Sequence, residues 1–275
     1  MTGEKLRGWR RLAAATWRTP DNPQFWGAAD VDAAPLLELI ARAREAGRTV
    51  TVTHLLGRAV GHAFGRHPEA NFRLVWGRAV PRPSVDVFIV ATVDGGRSLS
   101  GVRVDNVDSR SVLELAEELE RRLEALRAGR ERTMGGGSTL ADRLPWPLLR
   151  LGARFLPWLA GEAGVSLRAL GMPACPFGCA MVTNVGALGL PVAFGPLAPL
   201  YRVPVLVVAG AVVDKPVAVE GRVEVRAVLP VVATFDHRYY DGFMAGELQR
   251  AFLAYLADPA THEAELGGSP APPAR

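Results

Sequence analysis

The 275 residues are 49% hydrophobic and 22% charged, enough apolar material for one large core or two modest ones and no compositional sign of disorder across the body of the chain. A net charge of +4 invites a nucleic-acid reading, but only Lys5 and Lys215 among the 32 basic residues are lysines, and arginines alternate with acids in stretches such as "EELERRLEALRAGRER". That pattern describes solvated helix faces rather than a phosphate-binding surface, and no nucleic-acid partner is expected.

The first twenty residues, "MTGEKLRGWRRLAAATWRTP", lack the uninterrupted apolar core and small-residue cleavage site of a secretory signal, and no run of 18 apolar residues occurs anywhere. A cytoplasmic protein without a membrane span is expected. "DAAPLLELIARAREAG" carries apolar residues at helical spacing and stops at Gly47; "TVTHLLGRAVGHAFGRHPEAN" resumes the period as far as Pro68. Strand patterns follow in "FRLVWGRAV" and "VDVFIVATVDGG", and "SRSVLELAEELERRLEALRAG" predicts a long helix opened by Ser109 or Ser111.

A break at "TMGGGS" leads into "LADRLPWPLLRLGARFLPWLAGEAGVSLRALGMPACPFG". Here Leu144, Leu148, Leu149, Leu151, Phe155, Leu156 and Leu159, set against Arg143, Arg150 and Arg154, describe amphipathic helices broken by Pro145, Pro147 and Pro157. Three roles are open to this segment: an extra core layer or oligomer contact, a lid or acceptor-binding wall, or a membrane-surface helix. Cys175 and Cys179 fit neither a disulfide framework nor a four-ligand zinc site and read as two small buried thiols.

Beyond it, "GCAMVTNVG", "VPVLVVAGAVV" and "GRVEVRAVLPVVATF" are β-branched runs suited to a largely buried sheet. A final helix begins near Asp241 and ends before Pro259. The polar, proline-rich residues 259–275 read as a disordered tail.

The junction between that last strand and helix carries the chemistry. In "FDHRYYDG", a strand ending at Asp236 would hold His237 at its terminus facing a cleft, where an imidazole suits proton transfer near neutral pH. Asp241 is placed to order the turn, by capping the helix or pairing with an arginine. On spacing alone HxxxDG fits a structural cap with a satisfied histidine as well as a general base.

"FDHRYYDG" resembles the DHRxxDG signature of the catalytic domain of dihydrolipoamide acyltransferases, the acyltransferase components of 2-oxo acid dehydrogenase complexes, and its HxxxDG core is similar to that of chloramphenicol acetyltransferase. "VTHLLGRAVGHAFGRHPEAN", "VDVFIVATVDGG", "RSVLELAEELERR" and "MVTNVGALG" resemble further family segments, in the family's order, over most of residues 25 to 258. The resemblance implies an α/β fold, a two-layer sandwich of mixed β-sheet and helices like that of chloramphenicol acetyltransferase. The catalytic domain would span residues 1–258, with the amphipathic segment inserted near 138–174.

It also implies acyl transfer between two thiols, with coenzyme A as acyl-CoA substrate and a dihydrolipoamide-like acceptor. His237 matches the family's base. Thr183 stands where the family has a hydroxyl that hydrogen-bonds the tetrahedral oxyanion, and Asn184 and Gly186 shape the turn after it. Asp241 matches an aspartate paired to an amino-terminal arginine, for which Arg10, Arg11 and Arg18 are the candidates. The family places its active site between adjacent subunits of a homotrimer, and "GGSPAPPAR" offers no apolar segment for building trimers into larger cores.

No lipoylated domain is expected in this chain, so a lipoyl domain or dehydrogenase component would act in trans. Two other functions stay open: transfer to a small-molecule hydroxyl or amine, and a noncatalytic scaffold retaining the fold. His54, His62 and His67 lack the i, i+4 spacing of a helical zinc pair, and no metal is expected.

Overall fold

The computed structural model describes residues 23–93, 98–128, 145, 151–152, 155, 158–159, 177–197 and 202–263. Nine strands are described: β1 (Gln24–Asp32), β2 (Phe72–Val75), β3 (Arg78–Pro81), β4 (Val87–Val93), β5 (Ser98–Val104), β6 (Ala180–Asn184), β7 (Val205–Ala209), β8 (Val213–Val219) and β9 (Arg222–Asp236). The described helices are α1 (Ala34–Glu45), α2 (Val52–Arg66), α3 (Val112–Arg127), α4 (Gly242–Ala257) and α5 (Pro259–His262). Seven strands form one mixed sheet in the order β1-β9-β7-β6-β4-β5, with β8 also paired to β9; β2 and β3 form a separate hairpin. The β4-β6 and β6-β7 pairs are parallel and the others antiparallel.

Alternation along the strands gives the sheet two unlike faces. Val87, Ile89, Val182, Val205, Val207, Val231 and Phe235 point into the main core, which α2 and α4 close from one side through Leu55, Leu56, Phe64, Leu248, Phe252 and Tyr255. Met181, Leu206 and Val208 point the other way, into a smaller cluster with Phe88, Phe177 and Val203. This two-layer arrangement is the expected α/β sandwich. Ser111 opens α3 as a capping box, accepting from the backbone N–H of Glu114 while Glu114 returns a carboxylate to the N–H of Ser111. Cys179 is buried beside the backbone of Asp86, and burial pushes its thiol pKa up to about 12, so it is an inert packing group; Cys175 lies outside the described residues.

Three expectations change. The run "FRLVWGRAV" is a hairpin rather than one strand, because Trp76 (φ 49°) and Gly77 (φ 69°) form the left-handed pair of a tight two-residue turn. "VPVLVVAGAVV" divides at Gly210 into β7 and the start of β8. The third concerns the tail, which the sequence places from residue 259. The chain instead stays in the fold through α5, with Pro259 and Glu263 buried. Glu263 accepts from the backbone N–H of Val112 at 2.7 Å, at the start of α3, and from the Tyr255 hydroxyl at 2.8 Å, while Arg58 Nε lies 3.2 Å away. A helix N-terminus, a hydroxyl and a guanidinium together offset the cost of burying that carboxylate. Residues 264–275 lie outside the described residues, as does most of the inserted segment.

Candidate active site

β9 delivers the "FDHRYYDG" turn. The strand is held on both sides, Asp236 pairing with Gln24 of β1 and Phe235 with Val205 of β7, so its end is fixed by two neighbours. The Asp236 N–H donates to Pro204 O at 2.9 Å, and the His237 N–H donates to Pro23 O at 2.7 Å. Pairing ends there, and the chain turns through Tyr239 and Tyr240, whose N–H groups both reach the Asp236 carbonyl. The buried Asp236 carboxylate accepts from the Arg238 backbone N–H at 2.9 Å and from its guanidinium at 2.6 to 3.2 Å. This two-residue clamp locks the peptide that carries His237.

The two tyrosines anchor the far side. Tyr240 is buried and donates to Ala70 O at 2.8 Å; Tyr239 stacks on Phe72 at 5.4 Å, and its hydroxyl accepts from the Leu74 N–H at 3.4 Å. Asp241 caps α4, its Oδ1 accepting from the Met244 N–H at 2.9 Å. The three candidate arginines for Asp241 lie outside the described residues. With every neighbour fixed, the His237 side chain remains exposed, its ring 5.1 Å from that of Phe25, which stacks in turn on Phe235. An imidazole held this way can exchange a proton with a bound substrate.

Thr183 is the fourth residue of β6 and pairs with Val208 of β7, which pairs with Val232 of β9. It is therefore level with Val232, five residues before His237. That distance along the strand at about 3.3 Å per residue, and two strand spacings of about 4.8 Å, put the two residues about 19 Å apart. They also differ in face: Val182 belongs to the helix-side core and Met181 to the opposite cluster, so Thr183 alternates with Met181 onto the side away from the helices. One chain does not bring His237 and Thr183 together.

The turn after Thr183 is built as the sequence suggests. Asn184 Oδ1 accepts from the Gly186 N–H at 2.9 Å, and its amide donates to Thr53 Oγ1 at 3.4 Å. A Cβ on Gly186 would stand 2.3 Å from Gly210 O, so only glycine fits. Sequence reasoning missed Pro23, Phe25 and the Asp236–Arg238 clamp as supports of His237. DHR hints at the clamp, but Pro23 and Phe25 reach the histidine only through the β1-β9 register, which one sequence does not display. His54 is structural: its Nδ1 accepts from the Thr51 N–H at 3.2 Å, and burial lowers its pKa to about 4.

Comparisons with known proteins bear on the family and the fold. The sequence profile of the 2-oxoacid dehydrogenases acyltransferase (catalytic domain) family matches residues 2–139 and 177–263, passing over the inserted segment. The acetyltransferase component of the acetoin cleaving system of Bacillus subtilis is 25% identical over 214 residues, 78% of this chain and 43% of that protein. The pig mitochondrial succinyltransferase component of the 2-oxoglutarate dehydrogenase complex is 39% identical over 80 residues, 28% of this chain and 17% of that one. The chain thus spans less than half the length of these relatives. In structure it resembles a probable dihydrolipoamide acetyltransferase from Listeria monocytogenes (TM-score 0.63, 18% identity, 93% of this chain and 94% of that one). Chloramphenicol acetyltransferase shares the fold at a TM-score of 0.51 and 17% identity, over 91% and 96% of the chains. With most of its length matched on both sides of the insertion, the chain belongs to the 2-oxoacid dehydrogenase acyltransferase catalytic-domain family.

Proposed function

We propose that this protein transfers an acyl group between coenzyme A and a thiol acceptor of the dihydrolipoamide type, as a homotrimer whose active sites are completed across subunit boundaries. The observation that carries this reading is His237 itself, exposed on a rigidly held strand end about 19 Å from the one hydroxyl that the family resemblance assigns to the oxyanion. A second subunit resolves that separation. A solved relative adds support: it concerns the role of a serine, a histidine and an asparagine in the mechanism of Azotobacter vinelandii dihydrolipoamide acetyltransferase, its histidine and asparagine four positions apart as His237 and Asp241 are here.

In this reading His237 takes the proton of the acceptor thiol as its sulfur adds to the thioester carbonyl carbon. The carbonyl oxygen becomes an oxyanion and accepts from the hydroxyl of Thr183 of the partner subunit. On collapse the bond to the coenzyme A sulfur breaks, and that sulfur takes the proton back from His237. Asp236, Arg238 and Asp241 position the turn without touching the reacting atoms. A lipoyl group is the expected natural acceptor. The test is mass spectrometry of products after incubation with acyl-CoA species and free dihydrolipoamide, beside a small-molecule hydroxyl or amine. Acylated dihydrolipoamide is the expected product; acylation of only the hydroxyl or amine would replace the acceptor class, and no transfer would favour a scaffold.

A further inference from the structure

In the single chain an aromatic patch near the His237 turn is open to solvent. Trp76 sits at the tip of the β2-β3 hairpin, 66% exposed, with a positive φ that a bulky side chain seldom adopts. Its ring meets Trp158 of the inserted segment edge-on at 6.0 Å, and Trp158 lies 5.6 Å from Phe155. Leu151, Phe155 and Trp158 are each helical, and the ring contacts put Trp76, Trp158 and Phe155 on one side. Leu151, Phe155 and Trp158 are 64%, 51% and 41% exposed. These residues supply no extra core layer in the chain; a large apolar patch turned outward marks an interaction surface.

Charge identifies the partner. The hairpin "FRLVWGRAVPR" (72–82) has three arginines and no acid, and so does "RLPWPLLRLGARFLPWL" (143–159). Those six exceed the chain's whole excess of four basic residues, so the rest of the molecule is net acidic. Tryptophan, leucine and phenylalanine flanked only by arginine suit the boundary of an anionic bilayer, where apolar rings enter and guanidinium groups stay with the headgroups. A two-fold contact of the patch with its own copy would set arginine against arginine, and a contact with a different surface inside the homotrimer is separated from lipid docking by the oligomeric mass. Nucleic acid would leave the leucine and phenylalanine side chains without aliphatic surface to cover them.

We propose that the patch formed by Trp76, Leu151, Phe155 and Trp158 docks reversibly on an anionic lipid surface. Because Phe72 and Leu74 of the same hairpin contact Tyr239, two residues from His237, docking sets the His237 turn beside the membrane. The inference does not depend on the reaction, and its readout is binding alone.

The experiment is flotation of the full-length protein with vesicles of pure phosphatidylcholine and with vesicles containing about one third phosphatidylglycerol. The protein should float with the anionic vesicles and leave them as salt is raised. Trp76→Ser/Trp158→Ser should bind about tenfold or more weakly. Arg73→Gln/Arg78→Gln should bind about thirtyfold more weakly, at roughly a factor of five per basic residue. Val223→Ser/Val225→Ser, which alters exposed apolar residues elsewhere, should bind as the parent does. Absence of flotation, equal binding to neutral vesicles, or binding insensitive to both patch variants would overturn the proposal. So would a fall in oligomeric mass in the tryptophan variant when the parent binds no lipid, which would assign the patch to a contact between copies.

Discussion

His237 and Thr183 stand at opposite ends of one sheet: β9 runs antiparallel to β7 and β6, so its last residues pair with the start of β7, while Thr183 is one residue from the end of β6. Side-chain alternation separates them further by face. Each should nevertheless be needed for transfer. His237→Ala should lower turnover about 10² to 10⁴-fold, the worth of a general base. Thr183→Ala should lower it about 10² to 10³-fold, that of one oxyanion donor. Circular dichroism and melting temperature should stay near wild type for both, since His237 is exposed and Thr183 only half-buried; full activity in purified His237→Ala would remove it from the mechanism.

Asp241 is a helix cap first. Asp241→Ala leaves the Met244 N–H without its acceptor and should cost about 1 kcal/mol of stability. Asp241→Asn keeps an acceptor oxygen and should retain most of that stability. Thermal unfolding of the two variants distinguishes a cap from a chemical group: unchanged melting temperatures with abolished transfer in both would place Asp241 in the reaction instead.

Acid should loosen the fold at the start of α2. In the folded protein burial holds His54 neutral to about pH 4, whereas an unfolded histidine takes up its proton near 6.5. The unfolded state therefore binds more protons between those values, and stability, full above 6.5, falls as pH drops toward 4, by about 3 kcal/mol for this group. Protonation also removes the ring nitrogen that accepts from Thr51. Urea unfolding at pH 7 and 4.5 should show the loss in wild type and a smaller one in His54→Gln, whose amide can accept the same bond without titrating; equal losses would assign the acid sensitivity to other groups.

Residues 259–263 should behave as part of the domain. Glu263→Ala leaves Arg58, Tyr255 and the Val112 N–H without their shared carboxylate and should destabilise the protein by about 3 kcal/mol. Ending the chain after Asp258 should cost at least as much, while ending it after Glu263 tests residues 264–275 separately. A truncation at 258 that melts with the wild type would return this segment to the role of tail.

The sequence made the His237 turn readable because its signals are local. A strand pattern, a histidine at its end, and an aspartate-glycine pair opening a helix all lie within a dozen residues, and the Ser111 capping box is equally local. What escaped was set by distant partners. Trp76 resembles a strand residue until the left-handed backbone at Trp76-Gly77 turns the run into a hairpin, since a tryptophan in place of asparagine hides the usual turn signal. Glu263 looks like solvated tail until Arg58, Tyr255 and the start of α3 surround it. Pro23 and Phe25 support His237 through strand register alone.

The claim that one site needs two chains is tested most directly by mixing. Equal amounts of His237→Ala and Thr183→Ala protein, dissociated, combined and reassembled, should form trimers in which about a quarter of interfaces pair an intact His237 with an intact Thr183, given cyclic symmetry. Transfer activity should then rise toward about a quarter of wild type, while each variant taken through the same cycle alone stays inactive. Mixed trimers verified by native mass spectrometry, with no activity above the separate variants, would contradict a site shared between subunits.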